Sequence, residues 1–347
     1  MKGTVADLKE IYRAIEPGLE AMARALKESV SDHSPIVGEL VEHVSRFRGK
    51  LVRPAMVLFS GRACGRATPS HETLGVILEL IHTATLIHDD ILDGALVRRR
   101  VESLNSAYGS EVSVLTGDYF FSRAFVLIAS LRDHEAAREL AEMCSLICKG
   151  EITQVFERHN VDLSEEAYAE IVAGKTASLF ETGCSLGARF GGADAETASA
   201  LGRFGRNVGI AFQIVDDCLD IDGDEAAVGK TLGTDADRGK VTLPVIHALK
   251  HGGAAERREI RSIFAAEGTG GPAAGPKAEA PADPEATRAR KARLRAILAR
   301  SASLEHAYDA ARELAREARD AAESVLSPGP DRDALLALAD YVVRRQA

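Results

Sequence analysis

Apolar residues recur three and four positions apart through almost the whole chain, and strand-like alternation is nearly absent. Gly, Pro and Asp break this pattern into segments. It predicts helices over 4–27, 36–47, 53–64, 72–93, 111–131 and 135–157. Ser164 reads as the N-cap of a further helix with two glutamates in its first turn. A long amphipathic run follows over 195–221. Residues 268–284 are rich in Gly, Ala and Pro and read as a flexible surface insert. Helices resume over 285–299, 304–326 and 331–345. The fold class is therefore all-α.

Inside one apolar helix stands Leu86-Ile87-His88-Asp89-Asp90-Ile91-Leu92-Asp93. On a helix Asp89 and Asp93 share a face, four residues apart. Two carboxylates so placed repel unless a cation joins them. An oxygen-only set suits magnesium, which takes one or two carboxylates and completes its shell with water and phosphate. Taken alone, the cluster reads equally well as a solvated helix end. The same Asp-Asp-x-x-Asp pattern returns as Asp216, Asp217 and Asp220, again at the end of a long apolar helix. Two copies in equivalent settings favour a site between them, large enough for several divalent ions and a polyanion.

Cations flank both copies. Arg48-Gly49-Lys50-Leu51-Val52-Arg53-Pro54 places Lys50 and Arg53 at a helix mouth, where open N–H groups and the dipole suit an anion. Arg98-Arg99-Arg100 follows the first acid cluster, and guanidinium groups bind phosphate bidentately. Lys175 sits among Ala, Ser and Leu, where burial is costly without an anion. Lys230 and Lys240 lie on Gly-containing loops, and His82 lies two turns above Asp89 on nearly the same face.

At 347 residues the chain can bury a large core in one or two domains. A net charge of -9 and the absence of Trp argue against a nucleic-acid partner. The five cysteines show no metal-ligand spacing and are expected as small apolar core residues. Their odd number, with no secretory signal, points to a reducing cytoplasm. No run of 18 apolar residues appears, so no segment is expected to span a membrane.

The motifs, in their order, resemble those of the trans-isoprenyl diphosphate synthases, or polyprenyl synthetases, from about Ser34 to Leu249. They are the Gly-Lys-x-x-Arg-Pro turn, the first Asp-rich motif with its trailing Arg pair, Lys175-Thr176, Phe212-Gln213 with the second Asp-rich motif, and Gly239-Lys240-x-Thr-Leu-Pro. The resemblance implies one helical domain over 1–347, a bundle around a deep central cavity, and a homodimer. It implies condensation of isopentenyl diphosphate with an allylic diphosphate. Lys50, Arg53, His82 and Arg99 would hold the former; Arg98, Lys175, Thr176, Gln213, Lys230 and Lys240 the latter. Asp89, Asp93 and Asp216, with Asp220, would bind magnesium, three ions per site. Arg48 and Arg100 depart from the family's usual residues, and the insert is unusual.

The growing tail is expected to climb the Asp89 helix, where each turn rises about 5.4 Å. Ala84 and Thr85 are small and would let it pass until Ile81, Ile77, Phe121 or Phe125 closes the tunnel. Products of twenty carbons or more follow, leaning to long chains; a geranylgeranyl or farnesyl synthase is the alternative. A class I terpene cyclase would not need the Lys50–Arg53 clamp, and a non-catalytic subunit would be expected to have lost acids that are complete here.

Overall fold

In the computed structural model, the described residues are 5–47, 49–223, 232–265 and 284–344. Lys230, residues 268–283 of the expected insert, and Arg345 lie outside them. The elements are α1 (Val5–Tyr12), α2 (Glu16–Val30), α3 (Pro35–Ser45), α4 (Val52–Ala63), α5 (Pro69–Leu92), α6 (Leu104–Ser130), α7 (His134–Phe156), α8 (Glu165–Val172), α9 (Ser178–Gly191) and α10 (Ala195–Asp222). After these come α11 (Thr234–Asp237), α12 (Leu243–His251), α13 (Ala254–Phe264), α14 (Pro284–Arg300), α15 (Ser303–Glu323) and α16 (Pro330–Arg344). A two-stranded hairpin, Val97–Arg98 with Val101–Glu102, interrupts the helices.

Local chemistry explains where the elements depart from the expected boundaries. The first predicted helix is split by a 3-10 turn at Arg13–Ile15, just before Pro17, whose ring obstructs the carbonyl four residues back. α5 begins at Pro69 because Thr68 and His71 form a reciprocal cap. α6 begins seven residues before the expected Glu111, with a non-helical Gly109 at φ 83° inside it. Ser164 caps α8 as expected, accepting from Ala167 N. Asp133 and Asp194 do the same for α7 and α10.

α5 packs on α4, α6 and α9, while α10 packs on α9 and α15. α9 therefore lies against both acid-bearing helices, which are held apart rather than side by side. Ile77, Leu78, Ile81, Phe180, Phe204 and Val208 are fully enclosed around it. Of the cysteines only Cys184 and Cys218 are buried; Cys64 and Cys144 are half-buried and Cys148 is exposed. Thiol size suits a core, but position on the helix face decides it.

Among the described residues α6 alone is long and apolar enough to cross a membrane by length and composition, a test that the core helix of a globular protein also meets. No strong membrane span is found.

Candidate active site

The mouth of α4 is built by an irregular approach. Leu51 takes a left-handed conformation at φ 51°, and no side chain caps the helix. Its first N–H groups are thus left to solvent or to an anion. Arg53 lies flat over the Phe180 ring, 4.5 Å from its centroid. Lys50 lies 5.8 Å from the Tyr341 ring. Arg99 and Arg100 form the hairpin turn, both at positive φ (50° and 66°). Such backbone costs about 1–2 kcal/mol per non-glycine residue and tends to persist where function needs it. It directs Arg99 back onto Phe47, where Nη1 donates to the carbonyl at 2.7 Å. Gly49 permits this approach, because a Cβ there would lie 2.9 Å from Arg99 Nη1.

Glu79 and His82 complete this corner. Burial raises the Glu79 carboxyl, against the pull of Arg53 and Arg99. Burial, reinforced by Arg53, Arg99 and Arg98, drives the His82 pKa well below its ordinary value. The ring is therefore held toward its neutral form.

The first acid cluster divides in two. Asp90 is 1% exposed and turned inward, where Arg98 grips both its oxygens at 2.6–2.9 Å. Asp89 and Asp93 are partly exposed and meet lysines. Lys175 Nζ stands 3.6 Å from Asp89 and 2.6 Å from Glu151, and donates to Gln154 Oε1 at 3.0 Å. Lys240 Nζ donates to Asp93 at 2.7 Å and lies 3.6 Å from Asp235. Arg158 approaches Asp93 at 3.4 Å. Burial opposes ionisation of Asp93, but Lys240, Lys175 and Arg158 outweigh it and lower its pKa to about 2. Burial, then Asp89, lifts Glu151 to about 7.

Lys175 is delivered by a π-helical turn, Ala173–Ala177, between α8 and α9. Such turns recur at functional sites because they redirect one side chain within a helix. α7 can approach this turn because a Cβ on Gly150 would stand 2.6 Å from Lys175 N.

The second cluster is held differently. Asp217 is buried and accepts from Tyr168 OH at 2.6 Å and from Gln213 Nε2 at 2.8 Å. Gln213 Oε1 accepts from Thr176 at 2.9 Å. Burial first, then Asp235, pushes Asp217 up to about 7. Asp220 caps α11, accepting from Asp235 N at 3.2 Å and Thr234 Oγ1 at 3.4 Å. Asp216 is half-buried, and its charge is felt by Arg99.

The structure thus gathers Asp89, Asp93, Lys175 and Lys240 into one cluster, with Arg53, His82 and Arg99 beside it. Arg98, Thr176, Gln213 and Asp220 are tied to protein partners. Sequence reasoning gave no role to Glu151, Gln154, Arg158, Tyr168 and Asp235. Glu151 and Gln154 carried a signal, being polar residues three apart inside an apolar helix. Arg158 and Asp235 carried none, since only the tertiary fold brings them to Asp93 and Lys240.

The donors are carboxylate oxygens, which suit a hard divalent ion. Among the described residues no three His, Cys, Asp or Glu converge on one point. Magnesium does not require that, since phosphate and water complete its shell. The lysines now neutralise the acids that such ions would meet, so the residues fit the ion.

An all-helical bundle with two acidic helix ends, lysines between them and an arginine rim defines the isoprenoid-synthase class. The family model for polyprenyl synthetase matches residues 34–273. The chain belongs to that family and is a prenyltransferase of trans-polyprenyl diphosphate synthase type. It is 32% identical to the octaprenyl diphosphate synthase of Escherichia coli K12, over 98% of this chain and 99% of the relative. A crystal structure of the Caulobacter crescentus CB15 polyprenyl synthase, complexed with calcium and isoprenyl diphosphate, superposes with a TM-score of 0.88 at 32% identity, covering 100% and 99% of the two chains. The decaprenyl diphosphate synthase of Rhodobacter capsulatus superposes with a TM-score of 0.85 at 32% identity, covering 98% and 99%.

Proposed function

We propose that this site condenses isopentenyl diphosphate with an allylic diphosphate and repeats the step to a long polyprenyl diphosphate. The observation that carries the reading is the Lys175–Asp89 and Lys240–Asp93 cluster beside the Arg53–His82–Arg99 corner. It supplies two adjacent anion sites of different construction. Asp89, Asp93 and Asp216, with Asp220, would hold magnesium, three ions when both substrates are bound. A divalent ion held by these acids would supply Lewis-acid charge to the leaving diphosphate.

The protein's own groups do the rest. Lys175 and Lys240, released from the acids they now face, add positive charge around the allylic diphosphate; Lys230 is assigned there on the motif. Lys50, Arg53 and Arg99 clamp isopentenyl diphosphate, and neutral His82 hydrogen-bonds to it. The allylic C1–O bond breaks, the isopentenyl double bond supplies the electron pair for the new C–C bond, and diphosphate departs. The released diphosphate takes the proton lost from the isopentenyl unit. The apolar wall keeps water from the allylic cation, and fixed charges stabilise the separated ions.

Product length rests on α5. Ile81 and Ala84 are fully buried. Thr85 turns its hydroxyl onto the carbonyl of His82 at 2.8 Å. The small side chains at 84 and 85 support products beyond twenty carbons. Phe121 stacks on His88 and on Phe125, whose ring is half exposed.

The homodimer gains support from the outer faces of α6 and α7, where Leu115, Phe125, Val126, Ile152 and Phe156 are exposed. Large apolar side chains exposed in this way fit an interface. The free thiols support a reducing, cytoplasmic setting for a single domain spanning 1–347. The test is purified protein with magnesium, isopentenyl diphosphate and farnesyl diphosphate, read by product mass. A ladder ending above twenty carbons supports the reading; a cyclic hydrocarbon or no product overturns it.

A further inference from the structure

The second acid motif contains a carboxylate that the reaction above does not use. On a helix Asp216 and Asp220 share a face, while Asp217 points about 100° away. Asp217 is 5% exposed, and its two oxygens are separately engaged. Oδ2 accepts from Tyr168 OH at 2.6 Å and Oδ1 from Gln213 Nε2 at 2.8 Å. The Gln213 amide faces Asp217 with its nitrogen. Its oxygen is thereby turned to Thr176, whose hydroxyl donates to it at 2.9 Å. The chain Tyr168–Asp217–Gln213–Thr176 joins α8, α10 and the π-helical turn that carries Lys175. These residues line a cavity of about 60 Å³ together with Lys175 and Lys240.

We infer that Asp217 is a positioning residue anchored by Tyr168, which fixes the Gln213 amide and the Thr176 hydroxyl at the allylic-diphosphate side of the site. The inference rests on the prenyl-transfer reading. It separates the adjacent acids of the second motif: Asp216 belongs to the metal and substrate face, and Asp217 to the framework behind it. Tyr168 becomes a residue of the reaction although it lies outside every Asp-rich or cationic motif.

The test is steady-state kinetics at saturating magnesium on Asp217→Asn, Asp217→Leu and Tyr168→Phe, with Asp216→Asn and the unaltered enzyme as controls. Asn can still accept from Gln213 while its amide donates to the tyrosine oxygen, so Asp217→Asn should lie within about threefold of the unaltered enzyme. Asp217→Leu should raise KM for the allylic diphosphate about 10- to 100-fold, the scale of one or two lost hydrogen bonds to a charged group. KM for isopentenyl diphosphate and half-saturation by magnesium should move less than about twofold. Tyr168→Phe should show the same selective rise at about three- to tenfold, and it carries the test should Asp217→Leu not fold. The inference is overturned if Asp217→Asn is as damaged as Asp216→Asn, or if magnesium half-saturation moves instead of the allylic KM. An unaltered enzyme that makes no prenyl product overturns the prenyl-transfer reading, and this inference with it.

Discussion

The two Asp-Asp-x-x-Asp ends share a sequence but not an environment. At the end of α5, charge holds the acids: Arg98 on Asp90, Lys240 and Arg158 on Asp93, Lys175 near Asp89. At the end of α10, neutral donors hold them: Tyr168 and Gln213 on Asp217, a backbone N–H and a threonine on Asp220. The turns above also differ. Five residues before each motif stands a fully buried alanine, Ala84 or Ala211. Four residues before stands Thr85 in one copy and Phe212 in the other, the latter 5.8 Å from Phe180. A repeated motif thus repeats a spacing of acids, while its surroundings decide what each acid does. In both copies the second aspartate turns inward and serves the framework.

The largest effect should come from the acids assigned to the metal face. Asp89→Asn and Asp216→Asn should each lower turnover about 10³-fold at saturating substrate, the scale of lost electrostatic stabilisation in a water-excluded site. Near-native turnover in either variant would break the equivalence of the two copies. Stability separates them next. Arg98→Met strands the buried Asp90 carboxylate and should cost about 3–5 kcal/mol in urea unfolding. Tyr168→Phe removes one hydrogen bond to Asp217 and should cost about 1.5–3 kcal/mol. Equal costs would show that charge and neutral donors hold the two ends alike.

The alanines test what lies above the motifs. Ala84→Phe should shorten the product by at least one isoprene unit while the first condensation continues. Ala211→Phe should cost about 1–3 kcal/mol by overpacking and leave the product ladder unchanged. Mass analysis of the product decides between them; a shortened ladder from Ala211→Phe would move the tail path to α10.

The helices and both acid ends were legible because helical period, caps and four-residue spacing are local properties. The Ser164 cap and the Lys50–Arg53 helix mouth follow from the same local rules. What sequence could not show depends on residues far apart in the chain. Asp93 meets Lys240 across 147 positions, and Arg158 joins them only through the fold. The hairpin that aims Arg99 needs two arginines at positive φ, against their intrinsic preference, so no propensity argument finds it. The exposure of Leu115, Phe125 and Val126 on α6 could not be read from the sequence, because exposure depends on which elements pack against the helix.

The sharpest contrast is in pH, which should act on the two ends in opposite senses. The folded pKa of Asp93 is lowered to about 2, against about 3.9 for an unfolded aspartate. Its stabilisation, about 2–3 kcal/mol, is present above the unfolded value and disappears as pH falls from about 4 through 2. The folded pKa of Asp217 is raised to about 7. The fold favours its protonated form, so this group removes stability as pH rises from about 4 through 7. Urea unfolding of metal-free protein at stepped pH should therefore show Asp93→Asn losing its deficit on the acid side, below about pH 4. Asp217→Asn should show its relative stability improving from pH 4 to pH 8. Parallel pH profiles for the two variants would mean that both ends sit in one electrostatic environment, and that the division between a charged copy and a neutral one is wrong.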